Sequence, residues 1–270
     1  MPINDYKEIT VPVNGTNKAV KQIQDSNGNI IWGSQSAFPY RRLEYLEMKN
    51  AWIDTGIKPT KAYYFLNCKL PSSFSDSWGM IFGSEGWLNG ASARLWIGMQ
   101  NTNGGRLFSR VKAVADTEMI NLSDIDTTHQ YKCAIRTYFT NNTSGIYWFA
   151  ITDINTGNTV YSQFYNNTNY AMDMTNFNTI GINVATRQNA SGNFYAQQGN
   201  SDFKLYRFFN TSDKVSDPLV HNWFPCQRKS DNVCGIYDTI TKVFRPCQGT
   251  AAITCAGPVA NEYWDLTAPE

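Results

Sequence analysis

The feature that most constrains the fold is a succession of short apolar, β-branched and aromatic runs that polar turns separate at close intervals. Within one run, Tyr131, Cys133 and Ile135 alternate with Lys132, Ala134 and Arg136. This period of two is typical of strands with one buried face. Further candidate strands cover residues 63–70, 78–82, 94–100, 106–111, 129–138, 145–152, 159–165, 179–184 and 202–209. The sequence therefore predicts an all-β protein, a two-sheet antiparallel sandwich, with few helices.

The composition limits the classes of partner that we expect the chain to bind. The chain has 270 residues, of which 14% are aromatic, and 23 basic residues nearly balance 22 acidic ones. A net charge of +1 provides no electrostatic drive toward nucleic acid or an anionic membrane, so we expect neither as a partner. The first residues contain no basic and apolar signal pattern, and no run reaches the roughly 20 apolar residues of a membrane helix. We expect a soluble protein that is made in a cytoplasm without a signal peptide.

The cysteines do not form a metal motif. Cys226, Cys234, Cys247 and Cys255 are too far apart in sequence for the paired spacing of zinc modules, and no histidine pair lies near them. We expect buried free thiols, which behave as small hydrophobic groups, although the sequence does not decide their redox state.

The sequence predicts that residues 1–36 form an element separate from the sandwich. Two strand-like runs surround a turn at residues 25–29, and a segment this short buries little core of its own. We predict a docking element that attaches residues 37–270, the sandwich domain, to another subunit or particle; the alternative is a strand pair that folds back onto the sandwich. The predicted docking side chains are apolar: Ile9, Val11, Val13, Ile30, Ile31 and Trp32.

The segment from Trp223 to Asp238 combines strand-forming and turn-forming residues within a short stretch of sequence. Ser230, Asp231 and Asn232 predict a turn between two apolar arms, and residues 239–244 predict one more strand. The charges of Arg228, Lys229 and Asp231 are expected to satisfy one another at that turn.

This segment resembles the closing segment of concanavalin A-like, laminin G-like jelly-roll domains of virion proteins from phages of gut bacteria. Shared signatures include Tyr45-Leu46-Glu47, Trp52 to Pro59, Ile81-Phe82-Gly83, Phe203 to Phe208 and Pro225 to Asp238, spread over roughly residues 40–258. The resemblance implies a concanavalin A-like jelly roll and release inside an assembled virion. One fold supports many functions, so it implies no particular activity.

No catalytic motif is evident. A glycosidase needs two facing carboxylates, whereas Glu85, Glu118 and Asp153 are expected to be isolated in turns or near strand ends. His129 is expected to begin a strand, and His221 lies within an apolar arm. The sequence therefore predicts that the chain is not an enzyme.

Sugar binding is a more specific hypothesis for the function than catalysis. Lectin-like sites combine an aromatic ring with hydrogen-bonding side chains from loops, and the loops expected around Trp87 and Tyr195 offer both. The alternative is that these two rings plug the ends of the sandwich. The candidate ligand-binding residues are Trp87, Asn89, Arg94, Arg187, Gln188, Asn193 and Tyr195. No cofactor is expected; calcium is possible in such folds but has no assigned loop here.

These features predict a phage virion structural protein, a head-fibre, tail-fibre or decoration subunit, whose sandwich points outward and binds host-surface or mucosal polysaccharide. We expect a dimer or trimer that contacts other capsid or tail proteins, because repeated weak sites multiply into avidity. Two alternatives remain: a purely structural capsid or tail component that makes only protein contacts, and a polysaccharide-active enzyme.

Overall fold

The computed structural model describes residues 9–13, 16–20, 22–24, 30–33, 39–71, 79–88, 91–100, 105–111, 117–141, 144–167, 177–184 and 203–260. Almost all regular structure in these residues is β-strand, with one 3₁₀ turn at Leu122–Asp124. No described helix is long and apolar enough to span a membrane. The all-β prediction is confirmed.

Twenty strands are present in the described residues. They are β1 Ile9–Val13, β2 Thr16–Val20, β3 Gln22–Gln24, β4 Ile30–Gly33, β5 Tyr40–Arg42, β6 Leu46–Asp54, β7 Ala62–Lys69, β8 Gly79–Leu88, β9 Ala91–Gln100, β10 Arg106–Val111, β11 Thr117–Asn121, β12 Tyr131–Asn141, β13 Ser144–Asp153, β14 Thr159–Asn167, β15 Gly181–Val184, β16 Phe203–Thr211, β17 Leu219–Arg228, β18 Cys234–Asp238, β19 Phe244–Pro246 and β20 Gln248–Ala256.

The large β structure is two antiparallel sheets joined through β6. One sheet has the order β11-β10-β9-β8-β15-β6, and the other has the order β6-β16-β7-β12-β13-β14, with β17, β18, β19 and β5 added beside β16. Ile53 and Asp54 at the end of β6 pair with β15, and the three residues from Leu46 at its start pair with β16. Strand β20 pairs with β6 between Glu47 and Trp52. The two sheets form a sandwich over one shared core.

The N-terminal strands form two small hairpins. Strand β1 pairs with β2 and β3 pairs with β4, and neither pair hydrogen-bonds to the large β structure in the described backbone. The side chains of Ile9, Val11, Val13, Ile30, Ile31 and Trp32 lie outside the described part of the chain. The division into a docking element and a sandwich domain therefore stays a prediction.

The alternation in β12 places its inner face in the core. Tyr131, Cys133 and Ile135 are each at most 2% exposed, whereas Lys132 and Arg136 are half-buried on the other face. The two sheets also contact directly, because the Ser109 and Tyr165 hydroxyl oxygens lie 2.9 Å apart within hydrogen-bond range. Apolar burial from both faces thus fixes which side of each strand points inward.

Two sequence predictions need correction here. Residues 239–241 form a turn, and the strand begins only at Phe244, because the Asp238 carboxylate accepts hydrogen bonds from the Ile240 backbone N–H and the Thr241 hydroxyl. Such local side-chain bonds compete with a strand ladder. The second concerns Cys247 and Cys255, which are disulfide-bonded because the register of β20 on β6 shifts between Gly249 and Thr254 and lets the two cysteines approach. Cys68, Cys133, Cys226 and Cys234 are buried free thiols.

The predicted turn between β17 and β18 is confirmed. Arg228 Nη2 and Asp231 Oδ2 lie 2.6 Å apart, and Asn232 takes the left-handed conformation with φ of 59°. The charges at this turn therefore pair with each other, as the sequence indicated for Arg228 and Asp231.

Gly83 lies inside β8 rather than at a strand end, and it has φ of +144°. A Cβ at this position would lie 2.3 Å from the Leu95 carbonyl oxygen and 2.4 Å from the Trp96 Cβ. Trp96 is almost fully buried, so its side chain cannot move away without loss of packing.

We expect Gly83→Ala to lower the free energy of unfolding by roughly 2–4 kcal/mol, which combines backbone strain with overpacking. Gly157→Ala is the matched control, because Gly157 also has positive φ but its added Cβ would have no atom of the described residues within 4 Å. That variant should lose only about 1–2 kcal/mol. Equal losses in urea unfolding would contradict the packing explanation.

Candidate functional site

A pocket of about 500 Å³ lies where the segment after β6 meets β16, β17 and the β18–β19 hairpin. Its walls combine apolar and polar side chains: Thr55, Gly56, Ile57, Lys58, Thr60, Asn210, Val220, His221, Trp223, Thr241, Val243 and Arg245. This volume lies within the range of small-molecule sites, which also mix aromatic or aliphatic walls with a few polar groups. We take it as the candidate functional site.

The first wall is the segment that directly follows β6. The Asp54 carboxylate accepts hydrogen bonds from the Gly56 backbone N–H at 2.8 Å and from the Thr179 hydroxyl at 2.5 Å. The Thr55 hydroxyl donates to the Ile180 carbonyl at 2.8 Å, and the Lys58 ammonium donates to the Phe177 carbonyl. These bonds fix the segment on the chain that leads into β15.

The second wall contains His221 and the buried carboxylate of Asp238. The Nδ1 atom of His221 lies 2.6 Å from Oδ2 of Asp238, which is fully buried at the end of β18. The same carboxylate accepts bonds from the Asn222 and Ile240 backbone N–H groups at 2.9 and 3.0 Å, and from the Thr241 hydroxyl at 2.5 Å. Asp238 therefore orients the His221 ring and holds the turn.

Burial alone would raise the pKa of Asp238. The hydrogen bonds from His221, Thr241 and the two backbone N–H groups outweigh that effect and lower the pKa to about 2. The carboxylate is therefore charged at neutral pH, and its charge depends on this set of donors.

The other histidine has a different environment. The Nδ1 atom of His129 lies 2.8 Å from Asp153, and its Nε2 atom lies 3.4 Å from Asp126. Both ring nitrogens thus face carboxylates, and the hydrogen bond to Asp153 raises the pKa of His129. The described residues provide no such partner for Nε2 of His221, so that nitrogen remains available for a ligand.

Arg245 contributes a guanidinium group to the pocket. It lies against Gly56, where a Cβ would be 2.0 Å from its Nη2 atom, so a larger residue at this position would displace the guanidinium group. Gly56 also has φ of +72°, which favours glycine for its backbone. In the described part of the chain, Arg245 makes no ion pair, and its Nε atom is buried without a hydrogen-bond partner.

The sequence-predicted site is largely outside the described structure. Asn89, Arg187, Gln188, Asn193 and Tyr195 are not described, and neither are the side chains of Trp87 and Arg94. The backbone of Trp87 lies in β8 opposite Ser92, not in the loop expected from the sequence. Glu85 is likewise inside β8 and 1% exposed, rather than in a turn, because this hairpin extends to Leu88.

Sequence reasoning missed His221, Asp238 and Arg245 as site residues. A signal was available: the turn at Ser230 to Asn232 sets a register that places Trp223 opposite Asp238. That register brings His221 close to the end of β18. The approach of Arg245 to Gly56 depends on tertiary packing and leaves no local pattern.

No group of three or more His, Cys, Asp or Glu side chains in the described residues could hold a metal ion. Calcium therefore has no assigned ligands at this site.

No protein-family model matches the chain, and no curated protein matches it significantly. Among solved structures, a scytalido-glutamic peptidase with a peptide-based transition-state analogue is 11% identical with a TM-score of 0.40, covering 77% of this chain and 98% of that chain. A peptidase of the eqolisin family with a bound tripeptide is 14% identical with a TM-score of 0.39, covering the same shares. A tailspike protein of an Escherichia coli bacteriophage is 10% identical with a TM-score of 0.42, covering 66% of this chain and 25% of the tailspike.

These matches overturn the prediction that the chain is not an enzyme. Peptidases are among the matched structures, and so is the enzymatically active domain of a bacteriophage tailspike protein. At this similarity the matches assign no reaction to this chain.

We expect Asp238→Asn to destabilise the protein more at pH 6 than at pH 2. The pKa of Asp238 lies below its unfolded value, so its contribution is present above about pH 4 and is lost as the pH falls through about 2. The difference in unfolding free energy between wild type and variant should narrow by about 2 kcal/mol. A pH-independent difference in urea unfolding would contradict this role of the carboxylate.

Proposed function

We propose that the chain is a phage virion subunit with a concanavalin A-like jelly-roll domain that binds polysaccharide in the pocket described above. Residues 1–36 attach the subunit to the particle, and the sandwich points outward. The sequence signatures that resemble phage jelly-roll proteins support the virion assignment, and the pocket supports the binding function.

The observation that carries the proposal is the combination of groups in the pocket. Val220 and Val243 are exposed apolar side chains, Trp223 lines the pocket although it is only 2% exposed, and His221 and Thr241 can form hydrogen bonds. Sugars need both kinds of contact, because their rings have apolar C–H faces and a hydroxyl rim. Within the described part of the chain, the pocket walls combine these groups on one surface.

The test is binding of the full chain to bacterial capsular and mucin polysaccharides. Val220 is 43% exposed and lines the pocket, so Val220→Trp should fill the site and reduce binding at least about tenfold without a change in the core. Val215→Trp is the matched control, since Val215 is 58% exposed and does not line the pocket.

Trp87→Ala and Tyr195→Ala test the sequence-predicted loop site in the same assay. Binding that depends on these two side chains but is unchanged in Val220→Trp would move the site to the loops. The absence of binding to every polysaccharide, even by multimerised protein, would favour a purely structural virion role.

The His221–Asp238 pair favours a second candidate function, cleavage of the bound polysaccharide. A histidine whose Nδ1 atom is held by a buried carboxylate is oriented to exchange a proton through Nε2. This function would require that Nε2 reach the bound ligand.

We expect a polysaccharide that binds to release new chain ends slowly in the presence of wild-type protein, and His221→Ala to reduce that rate by about 10²–10⁴-fold. His129→Ala serves as the control, because both of its ring nitrogens face carboxylates. A release rate that is equal in wild type and His221→Ala would exclude catalysis by this pair.

A further inference from the structure

We infer that the pocket selects a carboxylated sugar and that Arg245 binds its carboxylate. The inference rests on the proposed polysaccharide-binding function and adds the chemical class of the ligand. It comes from the charges in the pocket, the position of Arg245 and the unpartnered polar groups around it.

The charged side chains that line the pocket are basic. Lys58 and Arg245 carry positive charge, and none of the described lining residues is Asp or Glu. Two carboxylates adjacent in sequence or hydrogen-bonded to lining residues already have donors: Asp54 accepts bonds from Gly56 and Thr179, and Asp238 has four donors. The pocket therefore favours an anion over a neutral or cationic group.

Arg245 is the group most in need of a partner. Its Nε atom is buried and makes no hydrogen bond, and no carboxylate of the described chain pairs with its guanidinium. An unpaired guanidinium in a partly buried position is costly, because it loses water without gaining a counter-charge. Lys58 differs, since its ammonium already donates to the Phe177 carbonyl.

Two further polar groups on the same walls lack partners. Among the described residues, the Asn210 side-chain oxygen and the Trp223 indole N–H have no hydrogen-bond partner, and these two residues are 4% and 2% exposed. Most buried polar groups in proteins are satisfied, so an acceptor and a donor without partners on the walls that also hold Arg245 mark these walls as polar and incompletely satisfied.

The combination identifies the ligand class. A planar guanidinium forms two parallel hydrogen bonds with a carboxylate, and the remaining walls suit the hydroxyls and C–H face of a pyranose. A uronic or sialic acid unit within a polymer has both parts. Sulfated sugars share the negative charge but not the flat two-oxygen geometry, so the experiment separates the two.

The experiment measures binding of the full chain to polygalacturonate, hyaluronate and polysialic acid, each beside its carboxyl-reduced form. Dextran sulfate beside dextran tests the sulfated class, and inorganic phosphate tests a free anion. Wild type should bind at least one carboxylated polymer about 10- to 100-fold more tightly than its reduced form, the difference expected for a charge-assisted pair.

Arg245→Met should remove this preference and Arg245→Lys should restore part of it, because lysine keeps the charge but not the two parallel bonds. Arg41→Met is the matched control, since Arg41 is exposed on β5 and does not line the pocket. Thermal unfolding of each variant checks that it is folded. Loss of preference in Arg41→Met to the same degree would overturn the role of Arg245.

The outcomes separate this inference from the proposed function. Equal binding of carboxylated and reduced polymers, with loss in Val220→Trp, would overturn the acidic-sugar inference and keep polysaccharide binding in the pocket. A preference for dextran sulfate or phosphate that depends on Arg245 would also overturn it. No binding to any polymer would remove both proposals.

Discussion

Strand β6 is the constraint on which the rest of the structure depends, because it belongs to both sheets. Its start pairs with β16 and its end pairs with β15, while β20 pairs with it between Glu47 and Trp52. Leu46, Met48, Ala51 and Ile53 along it are fully buried, so a shift by one residue would expose all of them. The register of β6 therefore also fixes where the segment beginning at Thr55 leaves the sandwich and forms one wall of the pocket.

The opposite wall depends on a different kind of interaction. Asp238 is buried and charged, and it gathers donors from β17 and from the turn that follows β18. A buried carboxylate is tolerated only with such a full set of hydrogen bonds. The two walls meet where Arg245 lies against Gly56. A pocket thus forms between segments that are nearly 200 residues apart, each of which is held rigid by its own hydrogen bonds.

Much of the fold could be predicted from local pattern, whereas the candidate site could not. The buried face of β12 and the turn at Ser230 to Asn232 could be predicted, because strands and turns have a characteristic periodicity or composition in the sequence. The sequence predicts a strand directly after Asp238, where the structure has a turn. Threonine and isoleucine favour strands, and composition does not reveal the competing side-chain hydrogen bonds. The contact of Arg245 with Gly56 could not be predicted either, because a contact between segments that are distant in sequence is set by tertiary packing. The loop residues predicted from aromatic content remain predictions.

We place the ligand site between the segment after β6 and the β17–β19 strands. Hydrogen exchange of the full chain with and without a carboxylated polysaccharide tests it most directly, since bound ligand slows the exchange of backbone amides that it covers. With the ligand bound, we expect the backbone amides of residues 55–60 and 238–245 to exchange more slowly and those of the β8–β9 hairpin to be unchanged. Protection confined to that hairpin or to residues 187–195, with residues 55–60 and 238–245 unchanged, would contradict it.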